Sequence, residues 1–167
     1  MQRTDRIEAL AAEVRRLADR IAVAELLPRF AAAQDAHDAD ALAELFDERI
    51  VIEYAGGAFR SRDEAIDGLR RTGFAHAASH HLIATHRVFV DGDRASAVGY
   101  FHSVHLDDAA RPEVHADHGG WYLARFARSG DIWRISYLKQ VSVWQAEAMA
   151  RKAPLTASIL EELRDWR

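Results

Sequence analysis

The sequence predicts a single α+β domain, with helices first and a curved antiparallel sheet after them. Three observations carry this reading. Apolar residues recur at helical spacing through the first 46 positions. From Ile50 onward the period shortens to two and turn signals punctuate the chain. The segregated order, helices before strands, belongs to α+β folds and not to alternating βαβ units.

Each element follows from its residues. Ile7, Leu10, Val14, Leu17, Ile21 and Ala24 alternate spacings of three and four, a seam of three heptads within a helix over 5–27. That seam admits two readings: an amphipathic helix packed on its own domain, or a dimerisation arm. Pro28 removes one helix hydrogen bond, so a kink or a break is expected there. The apolar pattern resumes at Leu26, Leu27 and Phe30, which extends the helix to about Asp35. Asp38 is a candidate N-cap for a short helix with Leu42, Leu45 and Phe46 inward. Ile50, Ile52 and Tyr54 alternate as a strand, and Gly56-Gly57 turns it. Ser61-Arg62-Asp63-Glu64 fits a capping box, and Gly73 fits the C′ position of the helix that follows. Four strands are then expected: His81–Val90, Ala95–Leu106, His118–Arg128 and Ile132–Val143. Asp91-Gly92-Asp93 and Ser129-Gly130-Asp131 turn the two hairpins. The whole of 1–167 reads as one domain, with 1–19 as a helical extension and 145–167 as a helical tail divided by Pro154.

Composition excludes several function classes. The 167 residues hold 22 basic and 26 acidic side chains, a net charge of −4, and no basic stripe for nucleic acid. No cysteine is present, which removes disulfides, thiolate nucleophiles and cysteine-held metals. No stretch approaches a membrane span, and the charged N-terminus does not read as a secretory signal. The expectation is a soluble cytoplasmic protein with no nucleic-acid or membrane partner. The nine histidines lie mostly between His76 and His118. His102 and His105 would point to opposite strand faces, and no zinc-type helix motif occurs, so no metal is expected.

Four strings occur in an informative order. They are Ala32-Ala33-Gln34-Asp35-Ala36-His37-Asp38 leading to Leu45-Phe46; Ser79-His80-His81-Leu82; Val90-Asp91-Gly92-Asp93-Arg94-Ala95; and Gly119-Gly120-Trp121-Tyr122 followed by Ile132-Trp133-Arg134-Ile135-Ser136. On these the chain resembles the SnoaL-like branch of the NTF2-like superfamily over roughly Arg20 to Trp144. The resemblance implies a cone-shaped fold whose sheet wraps over the helices and encloses a hydrophobic cavity. It does not imply one reaction, because the superfamily spans enzymes and non-catalytic binding domains.

Within that branch the site pattern resembles scytalone dehydratase and the lindane dehydrochlorinase. The resemblance places Asp35 and His81 at a shared carboxylate–histidine pair, Tyr54 at a pocket tyrosine, and His105 at a second histidine. Gln34 stands where scytalone dehydratase has another tyrosine, and His86 where many SnoaL-like chains have asparagine. His80 is the alternative to His81 if the register slips. Gln34, His80, Phe101 and Trp121 complete the expected substrate contacts.

The chemistry of these residue types is coherent. Imidazole titrates near neutrality, and an aspartate accepting its other N–H fixes the tautomer and stabilises the imidazolium. Asp35 and His81 would act as base, Tyr54 would stabilise an enolate, and His105 would protonate a leaving hydroxide. The expectation is a cofactor-independent dehydratase or isomerase acting on a mid-sized apolar molecule with an activated C–H bond. Epoxide or ester hydrolysis is a lesser reading. The alternative is a non-catalytic small-molecule-binding or association domain, in which the polar cavity residues are inherited but idle. Homo-oligomerisation, by default a dimer, is the expected association.

Overall fold

The computed structural model describes residues 3–146 and Trp166; the side chains of Thr85 and His86 fall outside that description. The order is α1 (Arg3–Asp35), α2 (Ala39–Leu45), β1 (Phe46–Tyr54), β2 (Gly57–Phe59), α3 (Arg62–Thr72), a 3₁₀ turn (Gly73–Ala75), β3 (Ala78–Asp91), β4 (Arg94–Leu106), β5 (Ala116–Ser129) and β6 (Ile132–Ala146). The expected tail helix lies outside the described residues. Its first positions, Gln145 and Ala146, belong instead to the end of β6.

α1 runs through Pro28 without a break. Pro28 sits on the exposed side of the helix, where water can reach the carbonyl that has lost its donor. The helix ends in a Schellman motif: the His37 amide donates to Gln34 O and the Asp38 amide to Ala33 O. His37 takes the left-handed conformation this needs, φ 53°. Asp38 then caps α2, its carboxylate accepting from the Ala41 amide. This tight corner holds Gln34 and Asp35 at the last turn of α1, facing the sheet.

The capping box forms as expected at one end of α3. Ser61 Oγ accepts from the Glu64 amide, while Glu64 reaches back to the Arg60 amide. At the other end Gly73 departs from expectation. Its φ of −66° is right-handed, and the chain continues into the 3₁₀ turn without a left-handed glycine cap.

The six strands form one curved, unclosed sheet in the order β2-β1-β6-β5-β4-β3. It is mixed, which corrects the all-antiparallel expectation: β1 pairs with β6 in parallel. After α3 the chain crosses to the far edge and returns as the meander β3–β6. The fourth strand of that meander therefore arrives beside β1 running the same way. Irregularities between Thr85 and Arg87, Gly119 and Gly120, and Arg125 and Phe126 interrupt the pairing, and such bulges bend long strands.

The concave face packs on the helices through Leu27, Phe30, Leu42, Ile50, Ile52, Phe126 and Ile135, all at most 1% exposed. Full burial of each such side chain contributes about 1.5–3 kcal/mol. The convex face carries a smaller cluster of Val98, Trp121, Leu123, Val141 and Trp166. Residues 3–22 of α1 extend beyond both clusters. Ile7, Leu10, Val14, Leu17 and Ile21 remain 46–65% exposed, so among the described residues nothing of its own domain covers the seam, contrary to the packed-helix reading. No described helix is long and apolar enough to cross a membrane.

Gly120 shows how tightly β5 and β6 approach. A Cβ there would lie within 1.9 Å of the Val141 carbonyl oxygen, which is backbone and cannot rotate away. Gly56, by contrast, has nothing within 4 Å. Gly120→Ala should cost about 1–3 kcal/mol in denaturant unfolding, and Gly56→Ala should stay within about 0.5 kcal/mol. Equal stabilities for the two variants would refute this packing.

Candidate active site

Asp35 is the last residue of α1, where the helix dipole disfavours a negative charge. Three hydrogen bonds from β3 offset that placement. Asp35 Oδ1 accepts from the Ser79 hydroxyl at 2.9 Å and meets His81 Nδ1 at 2.6 Å. Asp35 Oδ2 accepts the His81 amide at 2.9 Å. Partial burial works to raise the Asp35 pKa. The His81 ring, the His81 amide and the Ser79 hydroxyl outweigh it, so the carboxyl lies below its ordinary value. With Nδ1–H committed to Asp35, the His81 ring presents Nε2 as its basic nitrogen.

His81 opens onto a cavity of about 620 Å³. One side of it is largely apolar, built by Ala55, Ala58 and Phe59 around the β1–β2 turn and by Leu69 of α3. The other side is lined by imidazoles from the sheet and the segment before it: His76, His81, His105 and His118. The expected hydrophobic cavity is thus mainly apolar, with its polar lining concentrated in that histidine wall.

His105 is the hub of that wall. Its ring centroid lies 4.7 Å from His76, 5.1 Å from His81 and 5.3 Å from His118. Burial first, then the neighbouring imidazoles of His81, His76 and His118, push its pKa down to about 4. His118 is likewise pushed down to about 4, by burial and then by His81 and His102. Both are neutral at pH 7. His118 Nδ1 meets Ser103 Oγ at 2.9 Å, and its Nε2 meets Gln140 Nε2 at 2.8 Å as donor, so the ring is clamped from both sides.

The remaining expected residues divide by strand alternation. Tyr54 and Gln34 line the cavity. Burial raises the Tyr54 pKa, so its hydroxyl stays protonated. Tyr54 OH, Gln34 Nε2 and His105 Nδ1 are buried and have no hydrogen-bond partner among the described residues. Phe101 sits one layer behind, edge-on to His118 and against Tyr122. His80 and Trp121 are not brought to the cavity. His80 is exposed on the opposite face of β3 from His81, and Trp121 packs in the convex cluster. The inward residues of β5 are His118 and Tyr122, and the sequence reading assigned neither to the site. Pairing Ser103 with His118 across β4–β5 would have found the first, and alternation from Trp121 the second. The His86 side chain is outside the described residues. Among those described, no group of three or more histidine, aspartate or glutamate side chains is placed to hold a metal ion.

This fold and geometry can be set beside known proteins. The SnoaL-like domain family matches residues 15–139. This chain belongs to that family. No curated protein matches it in sequence. Among solved structures it is similar to a protein from Kribbella flavida, at 24% identity and TM-score 0.72, covering 78% of this chain and 95% of that one. It is also similar to a hexachlorocyclohexane dehydrochlorinase, LinA type 2, at 18% identity and TM-score 0.72, covering 86% and 98%. A scytalone dehydratase candidate from Novosphingobium aromaticivorans has 18% identity and TM-score 0.71, covering 84% and 95%. At these identities the likeness to solved structures shows the fold, an NTF2-like α+β cone.

The neutral histidines make stability pH-dependent with a definite sign. His105 and His118 titrate near 4 when folded and near 6.5 when unfolded. Between those values the unfolded chain binds more protons, so stability rises with pH across the window and is lost as pH falls through it. Asp35, with its lowered pKa, adds its own loss only below the ordinary carboxyl range. Unfolding at pH 7 and pH 5 should differ by about 1–2 kcal/mol per histidine, discounted for water reaching the cavity. His118→Gln should flatten the slope. An unchanged pH profile in that variant would remove His118 from the account.

Proposed function

We propose that this protein is a cofactor-independent lyase or isomerase that removes a proton from carbon beside a carbonyl group. The observation that carries this reading is the Asp35–His81 pair, which opens on the cavity that holds polar atoms of Tyr54, Gln34 and His105 with no partner among the described residues. Asp35 holds the imidazole in one tautomer and one orientation. His81 Nε2 takes the C–H proton, and Asp35 stabilises the imidazolium that results.

Charge then develops on the carbonyl oxygen. The Tyr54 hydroxyl is the donor for that oxygen: buried, protonated and with no competing acceptor among the described residues. The Gln34 amide offers a second donor in the same cavity. In elimination, the enolate re-forms the carbonyl, the C–O bond β to it breaks, and the departing hydroxide takes up a proton to leave as water. Neutral His105 is a hydrogen-bond donor to that oxygen. The His81 imidazolium, 5.1 Å away ring to ring, supplies the proton that closes the balance. In isomerisation, His81 returns the same proton to a different carbon. The apolar wall fits the hydrocarbon part of a mid-sized substrate, and the imidazole wall fits its oxygen-bearing end.

Three variants test this. Wild type in D₂O should exchange the α-hydrogens of a β-hydroxy ketone of matching size and eliminate water from it. His81→Ala and Asp35→Asn should each lose roughly 10²–10⁴-fold in both processes. Tyr54→Phe should lose rate with little change in folding, since its hydroxyl has no partner among the described residues to forfeit. Binding of such ketones without any exchange, in wild type as in His81→Ala, would sink the enzyme reading and favour the binding-domain one.

A further inference from the structure

The apolar seam of α1 faces away from its own domain. The inward face of the helix is marked by Val23, Leu26, Leu27 and Phe30, which are at most 2% exposed. Asp19 lies on that same face, accepting from Arg128 Nη1 at 2.8 Å and from Trp133 Nε1 at 3.0 Å. At about 100° per residue, Leu17 and Ile21 stand roughly 160° around the helix from Asp19, one on each side of the opposite pole. Ile7, Leu10 and Val14 continue that outer stripe. The described domain therefore cannot cover it by any bend that keeps Asp19 in place.

The stripe has the composition of a particular partner. Its a positions are Ile7, Val14 and Ile21, all β-branched, and its d positions are Leu10, Leu17 and Ala24. β-Branched residues at a with leucine at d favour two parallel strands. The flanks agree in charge. In a parallel pair, Arg20 at g meets Glu25 at e of the other helix, twice by symmetry, while Arg6 and Glu13 meet alanines at e. No like charges oppose one another across this seam.

We propose that residues 3–25 form a parallel two-stranded coiled coil with the same segment of a second copy of this chain. Three heptads alone are marginal. Here the helix is already nucleated, because its second half is fixed in the domain core and Asp19 is tied to the β5–β6 hairpin. The two domains would then lie side by side at the C-terminal end of the coil.

The absence of cysteine makes the test direct. In the full chain, Leu10→Cys puts a single thiol at a d position, and a parallel, in-register coil brings the two copies within disulfide reach. Under mild oxidation most of this variant should run as a covalent dimer. Ala12→Cys, on the outer f position, should stay largely uncrosslinked and sets the collisional background. Adding Val14→Lys to Leu10→Cys should bring crosslinking down to that background, while unfolding of the domain is unchanged. Crosslinking of Leu10→Cys no greater than that of Ala12→Cys overturns the proposal. So does crosslinking that requires Leu10→Cys and Ile21→Cys together, because that pairing belongs to antiparallel helices. A wild-type chain that sediments as a monomer at tens of micromolar overturns it as well.

Discussion

One carboxylate joins the two halves of this fold. Asp35 ends the long helix and accepts from a hydroxyl, a backbone amide and an imidazole, all from the first turns of β3. A negative charge at a helix C-terminus is unfavourable in isolation. Half-buried, it would be costlier still without its donors. The compensation comes from residues 44 and 46 positions away in sequence, so the knot exists only once helix and sheet have docked. A local rule broken and compensated at long range is the mark of a site.

The rest of the cavity is arranged around that knot. The Schellman corner at His37 and the cap at Asp38 stop the helix so that Gln34 and Asp35 share its last turn. Alternation along β3, β4 and β5 then sends His81, His105 and His118 to one face and His80, His102 and Trp121 to the other. Burial keeps His105 and His118 neutral, so neither places a positive charge beside His81. Their rings act as polar surface and hydrogen-bonding groups. His81 differs from them because it alone has the Asp35 carboxylate against its ring.

Much of the fold was legible because it depends on local chemistry. The caps at Asp38 and Ser61 follow from side chains that reach their own helix. The Gly92 and Gly130 turns follow from the left-handed conformation each adopts, φ 56° and 62°. The inner face of β4, from Ala95 and Ala97 to Ser103 and His105, follows from the period of two. Gly73 misled, because a glycine after a helix is compatible with both hands and the 3₁₀ turn takes the right-handed one. Trp121 misled for a different reason: a large aromatic residue is equally at home on either face of a sheet, and only the phase of its strand assigns it.

What the sequence alone determined is therefore short-range: helix and strand identity, the turns, and the residue types able to do acid–base chemistry. It also determined the heptad seam, since periodicity and side-chain branching are written in order along one helix. Tertiary structure decided the rest. The parallel pairing of β1 with β6, the clamp on His118 from Ser103 and Gln140, and the exposure of the seam all depend on segments far apart in the chain. No local signal encodes such contacts, because their energy appears only when the sheet has curved and the helices have closed over it.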